Sequence, residues 1–235
     1  MGQQKKLKAY LKTKMPLWML DFLYRNKLLL SYGPKYKKSV FSEIYRTNHW
    51  GDPESRSGAG STISYTAALR DDLPKVLKEI KAKSLLDAPC GDFNWMKEAR
   101  LDLKEYIGAD IVSEIIAENQ RKYGNENRRF LVLDITEDNL PQVDVIFCRD
   151  VFIHLSFSDV FRALAKFKES KSKYLIASTS PIIQENINVI TGSMHNLNLE
   201  LPPFNLPKPI RLIDDRQKGF IERWMGLWKI EDIKL

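Results

Sequence analysis

The sequence holds only two cysteines, Cys90 and Cys148, and three histidines, His49, His154 and His195. Neither cysteine belongs to a C-x-x-C pair. That excludes a structural zinc site of ordinary spacing and gives no sign of a disulfide framework, so two ordinary buried thiols in a reducing cytoplasm are expected. No apolar run approaches the roughly 20 residues that a membrane-spanning helix needs. A signal peptide is not expected either, because Asp21 breaks the apolar stretch near the start and no small-residue cleavage site follows it. Internal repeats are absent. Acids are nearly absent from residues 1–40, where ten Lys or Arg face Asp21 alone, a local balance of +9. The whole chain carries +7, so residues 41–235 carry −2 and the basic character belongs to the arm.

In that arm Leu17, Trp18, Leu20, Phe22 and Leu23 are hemmed by Lys12, Lys14, Arg25 and Lys27. The pattern fits an interfacial helix drawn to anionic lipid, where each Lys or Arg near the surface adds about 1 kcal/mol. A helix packed on the domain or on a second subunit is the other reading. Residues 41–235 suffice for one α/β domain. Beyond residue 80, short apolar runs alternate with amphipathic segments, the sign of a mainly parallel sheet with helices on both faces. Strands are expected at Ser84–Asp87, Tyr106–Asp110, Phe130–Asp134, Val143–Cys148 and Tyr174–Ser178, with an antiparallel edge strand at Gly226–Ile230. A helix is expected around Pro74–Lys81, and another capped by Ser113 and stopped near Gly124. A further helix should start near Ser156 or Ser158 and bury Val160, Phe161, Leu164 and Phe167. The Pro-rich stretch Leu201–Ile210 reads as an ordered loop over one end of the sheet.

Open parallel sheets bind ligands at the carboxyl ends of their strands. Three successive strands here end in acids, Asp87, Asp110 and Asp134, facing one crevice. A single Asp there is as readily a cap or turn residue; three together point to a ligand. The first turn, Asp87-Ala88-Pro89-Cys90-Gly91-Asp92-Phe93, separates two cofactor classes. A dinucleotide needs free backbone N–H groups aimed at its pyrophosphate. Pro89 removes one donor and Asp92 places a negative charge beside the phosphates. A cofactor bearing an ammonium and a sulfonium suits these acids, with Asp110 accepting from ribose hydroxyls and Asp134 from an adenine amine.

The turn, together with Trp50-Gly51 and Glu54-Ser55-Arg56-Ser57-Gly58-Ala59-Gly60-Ser61-Thr62, resembles the class I S-adenosylmethionine-dependent methyltransferases, in particular a bacterial subgroup of free-standing enzymes. The resemblance covers residues 42–235 and implies a Rossmann-like methyltransferase fold with S-adenosylmethionine as cofactor. It implies cofactor contacts from Asp87, Gly91 and Asp92 in the turn, from Asp110 at the ribose and from Asp134 at the adenine. Pro89 and Phe93 depart from it, standing where the usual turn has glycine. Flanking residues Ala88, Pro89, Ile111 and Ile135 join the expected cofactor surface, as do Trp50, Ser57, Gly58, Ser61, Thr62 and Arg149. Arg56 is expected at the methionine carboxylate. A plain flexible loop is the other reading of Ser57–Thr62.

Acceptor chemistry is expected from His154, taking a proton from an acceptor hydroxyl, with Asp150 orienting it. Capping or packing against the next helix is the alternative for His154. Thr191–Leu199 and the Pro-rich loop should cover the acceptor. No carboxylate cluster follows the fifth strand, so no catalytic metal is expected. The leading expectation is O-methylation of a sugar, surface glycan or small metabolite by a cytoplasmic enzyme, with peripheral contact to the inner membrane face through residues 1–40. Methylation of RNA or protein through the arm is the second, although the slightly acidic domain disfavours nucleic acid. A non-catalytic binding module held at a membrane is the third.

Overall fold

The computed structural model describes residues 34–216 and 222–235. The basic apolar stretch at Leu17–Leu23, and with it the expected interfacial helix, lies outside them. The chain divides into two compact units, residues 1–39 and 40–235. Its first described helix is α1 (Pro34–Thr47), followed by α2 (Ala67–Glu79), α3 (Ser113–Tyr123) and α4 (Phe157–Glu169). Seven strands run β1 (Ser84–Asp87), β2 (Glu105–Asp110), β3 (Arg128–Val132), β4 (Val145–Cys148), β5 (Tyr174–Thr179), β6 (Arg211–Asp214) and β7 (Trp224–Lys229). They form one sheet in the order β3-β2-β1-β4-β5-β7-β6. The first five are parallel, and β7 runs antiparallel to both β5 and β6.

The strands bury both faces, so their period-2 geometry sends neighbouring residues into different cores. Leu86, Ile146 and Leu175 pack with Val160, Leu164 and Phe167 of α4. Leu85, Val145, Phe147 and Ile176 pack instead with Leu69, Leu73, Val76 and Leu77 of α2 and Ile116 of α3. The helices therefore cover both faces, as the alternating sequence predicts. Chain order reverses direction between β1 and β4, which opens the crevice at the carboxyl ends of those strands.

Several boundaries shift, each for a local reason. β4 starts at Val145 because the Asp144 carboxylate accepts hydrogen bonds from the Lys83 and Ser84 amides, fastening the starts of β1 and β4. β3 ends at Val132, so Asp134 lies beyond the strand, where its Oδ1 accepts from the Thr136 amide and hydroxyl. Ser113 is not a cap: α3 is preceded by Val112, whose amide donates to Asp110. The α4 start is as expected, with Ser156 accepting from the Asp159 amide. Phe161 is only half-buried, packed on the ring of Phe204. α2 begins well before Pro74 and holds it in its interior, since the apolar stripe Leu69, Leu73, Val76, Leu77 outweighs the one backbone hydrogen bond a proline removes. The antiparallel strand is Trp224–Lys229 and is not the edge; the shorter β6 covers it, a strand hidden by the prolines before it. The Pro-rich stretch is irregular and anchored by buried Phe204 and Leu206 and by the Trp228 indole, which donates to the Pro207 carbonyl.

Candidate active site

The turn after β1 has no amide to offer a ligand. The Ala88 N–H donates to the Phe147 carbonyl, Pro89 has none, and Cys90 donates to Ala109. Gly91 donates to Asp110 Oδ2 at 3.2 Å, Asp92 to Ser57 Oγ at 3.0 Å, Phe93 to Cys90, and Asn94 to Asp92. Phosphate recognition by backbone amides needs those donors free, so the geometry argues against a pyrophosphate in this turn. Phe93 adopts φ +60°, the left-handed conformation that glycine usually supplies, at a cost of about 1–2 kcal/mol. Burial of its ring among Tyr106, Tyr123 and Phe130 offsets that strain.

Asp87 is buried beneath the turn and accepts from the Tyr106 hydroxyl. Burial pushes its carboxyl up to about 7; the Tyr106 hydrogen bond and Arg149 pull the other way, while Asp110 adds to the rise. Asp110 is raised to about 6, again by burial, although the amides of Val112 and Gly91 stabilise its charge. A carboxylate offers about four lone-pair sites, so Asp110 keeps capacity for a hydroxyl donor beside the amides it already accepts from. Ile111 is half-buried directly after it, and Ile135 is buried beyond Asp134. Burial and the neighbouring Asp110 and Asp87 push the Cys90 thiol up; burial likewise raises Cys148, so both stay as inert thiols.

Asp92 binds the segment that precedes the first strand. Its carboxylate accepts from the Ser55 hydroxyl (3.0 and 2.9 Å), the Arg56 amide (2.8 Å) and the Ser57 hydroxyl (3.2 Å). Asn94 completes this clasp by donating to Glu54 and to the Ser61 carbonyl. The two motifs therefore meet as one element, a strap tied to the turn. A Cβ on Gly91, which sits at φ +52°, would lie 2.3 Å from Ser57 Oγ, so the strap needs glycine there. The Thr62 hydroxyl donates to the Ala59 carbonyl inside the strap. Arg56 is exposed and donates to the Tyr45 carbonyl beside the Tyr45 ring. Replacing Asp92 with alanine is expected to speed hydrogen exchange at the Arg56 amide about tenfold or more, because hydrogen bonds to charged groups contribute about 1.5–3 kcal/mol. Unchanged exchange, read by mass spectrometry on the peptide containing Arg56, would contradict the clasp.

Arg149 is held by protein side chains. Its guanidinium makes a paired contact with Asp215 at 2.9 and 3.0 Å and lies 3.3 Å from Asp150, with only 4% of the side chain exposed. It is thus consumed by protein partners. Asp150 in turn binds Arg223 at 2.9 Å, accepts from the Ser178 hydroxyl and faces Gly60, while Arg223 donates to the Tyr65 hydroxyl. Asp150 therefore does not hydrogen-bond His154. The group that holds His154 is the Ser193 carbonyl, 2.9 Å from Nδ1. Trp50 lies against the imidazole with ring centroids 4.8 Å apart.

The Thr191–Leu199 segment is docked on this turn. Gly192 N–H donates to the His154 carbonyl, His195 N–H to Ile153, and Thr191 bridges Ser156 and Asp159. The buried ring of His195 sits between the carbonyls of Ile187 and Phe152 and secures the segment. Tyr65, Asp215 and Arg223 carried no sequence signal, since their partners lie 66 to 158 residues away. Asn119, whose side chain donates to the Gly91 carbonyl, did carry one: a polar residue on the buried stripe with Ile115 and Ile116. Among the described residues, no three His, Cys, Asp or Glu side chains come together as a metal site, and no helix is long and apolar enough to cross a membrane.

Residues 86–170 match the family model of a methyltransferase domain. No curated protein matches the chain significantly in sequence. Solved structures do match in fold. A methyltransferase of Leishmania major, described as S-adenosylmethionine-dependent, superposes with TM-score 0.63 at 13% identity, covering 88% of this chain and 90% of that one. Magnesium protoporphyrin IX methyltransferase from Synechocystis, solved with bound S-adenosylhomocysteine, gives 0.56 at 14% identity over 83% and 96%. The N-methyltransferase NodS from Bradyrhizobium japonicum gives 0.54 at 10% identity over 71% and 96%. The fold of this chain is the Rossmann-like methyltransferase fold.

Proposed function

We propose that the chain is an S-adenosylmethionine-dependent methyltransferase that acts on a hydroxyl of a sugar, surface glycan or small metabolite. The observation that carries the donor half of this reading is the turn after β1, whose amides are all committed, while Asp87 and Asp110 end their strands and Asp134 follows β3. A cationic nucleoside fits that chemistry; a pyrophosphate does not. When bound, the donor would supply an electrophilic methyl group to the acceptor oxygen.

Asp110 retains lone pairs for ribose hydroxyls, Asp134 stands for the adenine amine, and Ile111 and Ile135 flank the base. Because Ser193 accepts at Nδ1, the neutral His154 ring carries its proton there and keeps Nε2 as the basic nitrogen. That nitrogen takes the acceptor proton and passes it to solvent. The basic arm, residues 1–40, suits contact with an anionic membrane surface near a glycan acceptor.

Incubation with methyl-labelled donor and fractionated cell extract tests the acceptor class: label in glycan or small molecules supports it, and label confined to RNA or protein overturns it. His154→Ala is expected to lower methyl transfer to a hydroxyl about 10²–10⁴-fold, the usual weight of general-base catalysis. A rate unchanged across pH would remove His154 from that part.

A further inference from the structure

We propose that Trp50 is a positioning residue for the His154 imidazole, its indole backing one side of the ring while the Ser193 carbonyl fixes the other, so that Nε2 alone is offered to the acceptor. This deepens the reading of His154 as the base and rests on it. From sequence, Trp50 belongs with the cofactor contacts; its protein neighbours in the structure are His154, His49 and Gly58. The indole tilts 31° from the imidazole plane at 4.8 Å, close enough to exclude water from that side. Behind it, Gly58 at φ +90° brings the strap backbone against the side chain, where a Cβ would stand 3.1 Å from Trp50 Cβ and 3.2 Å from Cγ. His49 meets its edge at 5.3 Å.

The strap that carries Gly58 is the one clasped by Asp92, so the indole is seated by the cofactor turn on one side and by the turn after β4 on the other. His154 is thereby held from three directions. Trp50 lies on one side, Ser193 is at Nδ1, and the Gly192 amide donates to its own carbonyl at 2.8 Å. Nε2 has no protein hydrogen-bond partner among the described residues. The charged groups around the ring are mixed. Burial holds the imidazole below its ordinary range, with Arg223 and His195 acting in the same direction, while the Ser193 carbonyl and Asp150 oppose it. An imidazole kept neutral near pH 7 is ready to accept a proton, and the covering indole is part of that burial.

With only three histidines in the chain, side-chain NMR of the full protein follows each ring separately, the His154 signal being assigned by its loss in His154→Gln. In Trp50→Ala the titration midpoint of His154 is expected to move upward toward the ordinary value of about 6.5, and the acid limb of the methyl-transfer rate should move with it. Trp50→Phe, which keeps an aromatic cover, should stay near wild type on both measures. A His154 midpoint unmoved in a folded Trp50→Ala protein would overturn the proposal, as would a rate that falls equally at every pH with no shift of the limb. Failure of the base reading is a separate result: His154→Ala would then retain full activity, and the imidazole titration in the Trp50 variants would still decide whether the indole controls that ring.

Discussion

Arg149→Met is expected to destabilise the protein by about 3–5 kcal/mol, the range found when one partner of a buried ion pair is removed and its counter-charge is left in place. The counter-charge here is Asp215, whose side chain is fully buried and whose two oxygens receive the Arg149 fork at 2.9 and 3.0 Å. Burial already holds the Asp215 carboxyl up at about 6 while Arg149 pulls it down. Without the guanidinium that carboxyl must ionise alone in the interior or keep its proton. The loss should therefore be larger at pH 8 than at pH 5. The double variant Arg149→Met, Asp215→Leu should recover much of the stability, because apolar residues of similar volume can replace a buried pair at little net cost. Urea unfolding of the wild type, the single and the double variant at both pH values is the measurement. A double variant no more stable than the single one would show that Asp215 is not the source of the penalty.

Asp87 should make the ligand-free protein lose stability as pH rises. Its carboxyl titrates at about 7 in the folded state, against about 3.9 in an unfolded chain. Below about pH 4 both states are protonated and the contribution is complete. Between about 4 and 7 the unfolded chain releases its proton while the native state keeps it, so stability falls by up to about 1.4 kcal/mol per pH unit. Above 7 the contribution is gone. Asp110, raised to about 6, adds a fall of the same sign over a narrower window.

Asp87→Asn mimics the protonated acid and can still accept from Tyr106. It should match the wild type near pH 4 and exceed it at pH 8, by an amount bounded at about 4 kcal/mol. A cationic donor reverses the preference by stabilising the ionised carboxylate. Its affinity should rise with pH by at most about tenfold per unit up to about 7, and Asp87→Asn should flatten that slope above about pH 6, where Asp110 no longer contributes. Calorimetric titration across pH 5.5–8 reads this directly. Equal slopes in wild type and variant would take the donor's charge away from Asp87.

Much of the scaffold was legible along the chain because its signals are local. Apolar runs such as Leu85–Leu86 and Val145–Phe147 mark strands buried on both faces, and Ser156 marks the start of α4. Pro89 and Asp92 in the first turn disfavour a pyrophosphate by residue type alone. The boundaries that local signals miss are those decided by a distant partner: Asp144 binding the amides at the start of β1, or the strand β6 pairing with β7.

The charged and aromatic residues of the site divide in the same way. Residue type and spacing determined that three acids follow successive strands, that the first turn lacks a phosphate cradle, and that a histidine follows the fourth strand. Tertiary structure alone decided which of these groups are free to act. Asp92 ties down the strap, Arg149 is neutralised by Asp215, and Asp150 is held by Arg223, leaving the Ser193 carbonyl to orient His154. The reason is that a side chain's chemical capacity is fixed by its covalent structure. Its availability depends on partners tens of residues away, which only the packed fold brings within hydrogen-bonding reach.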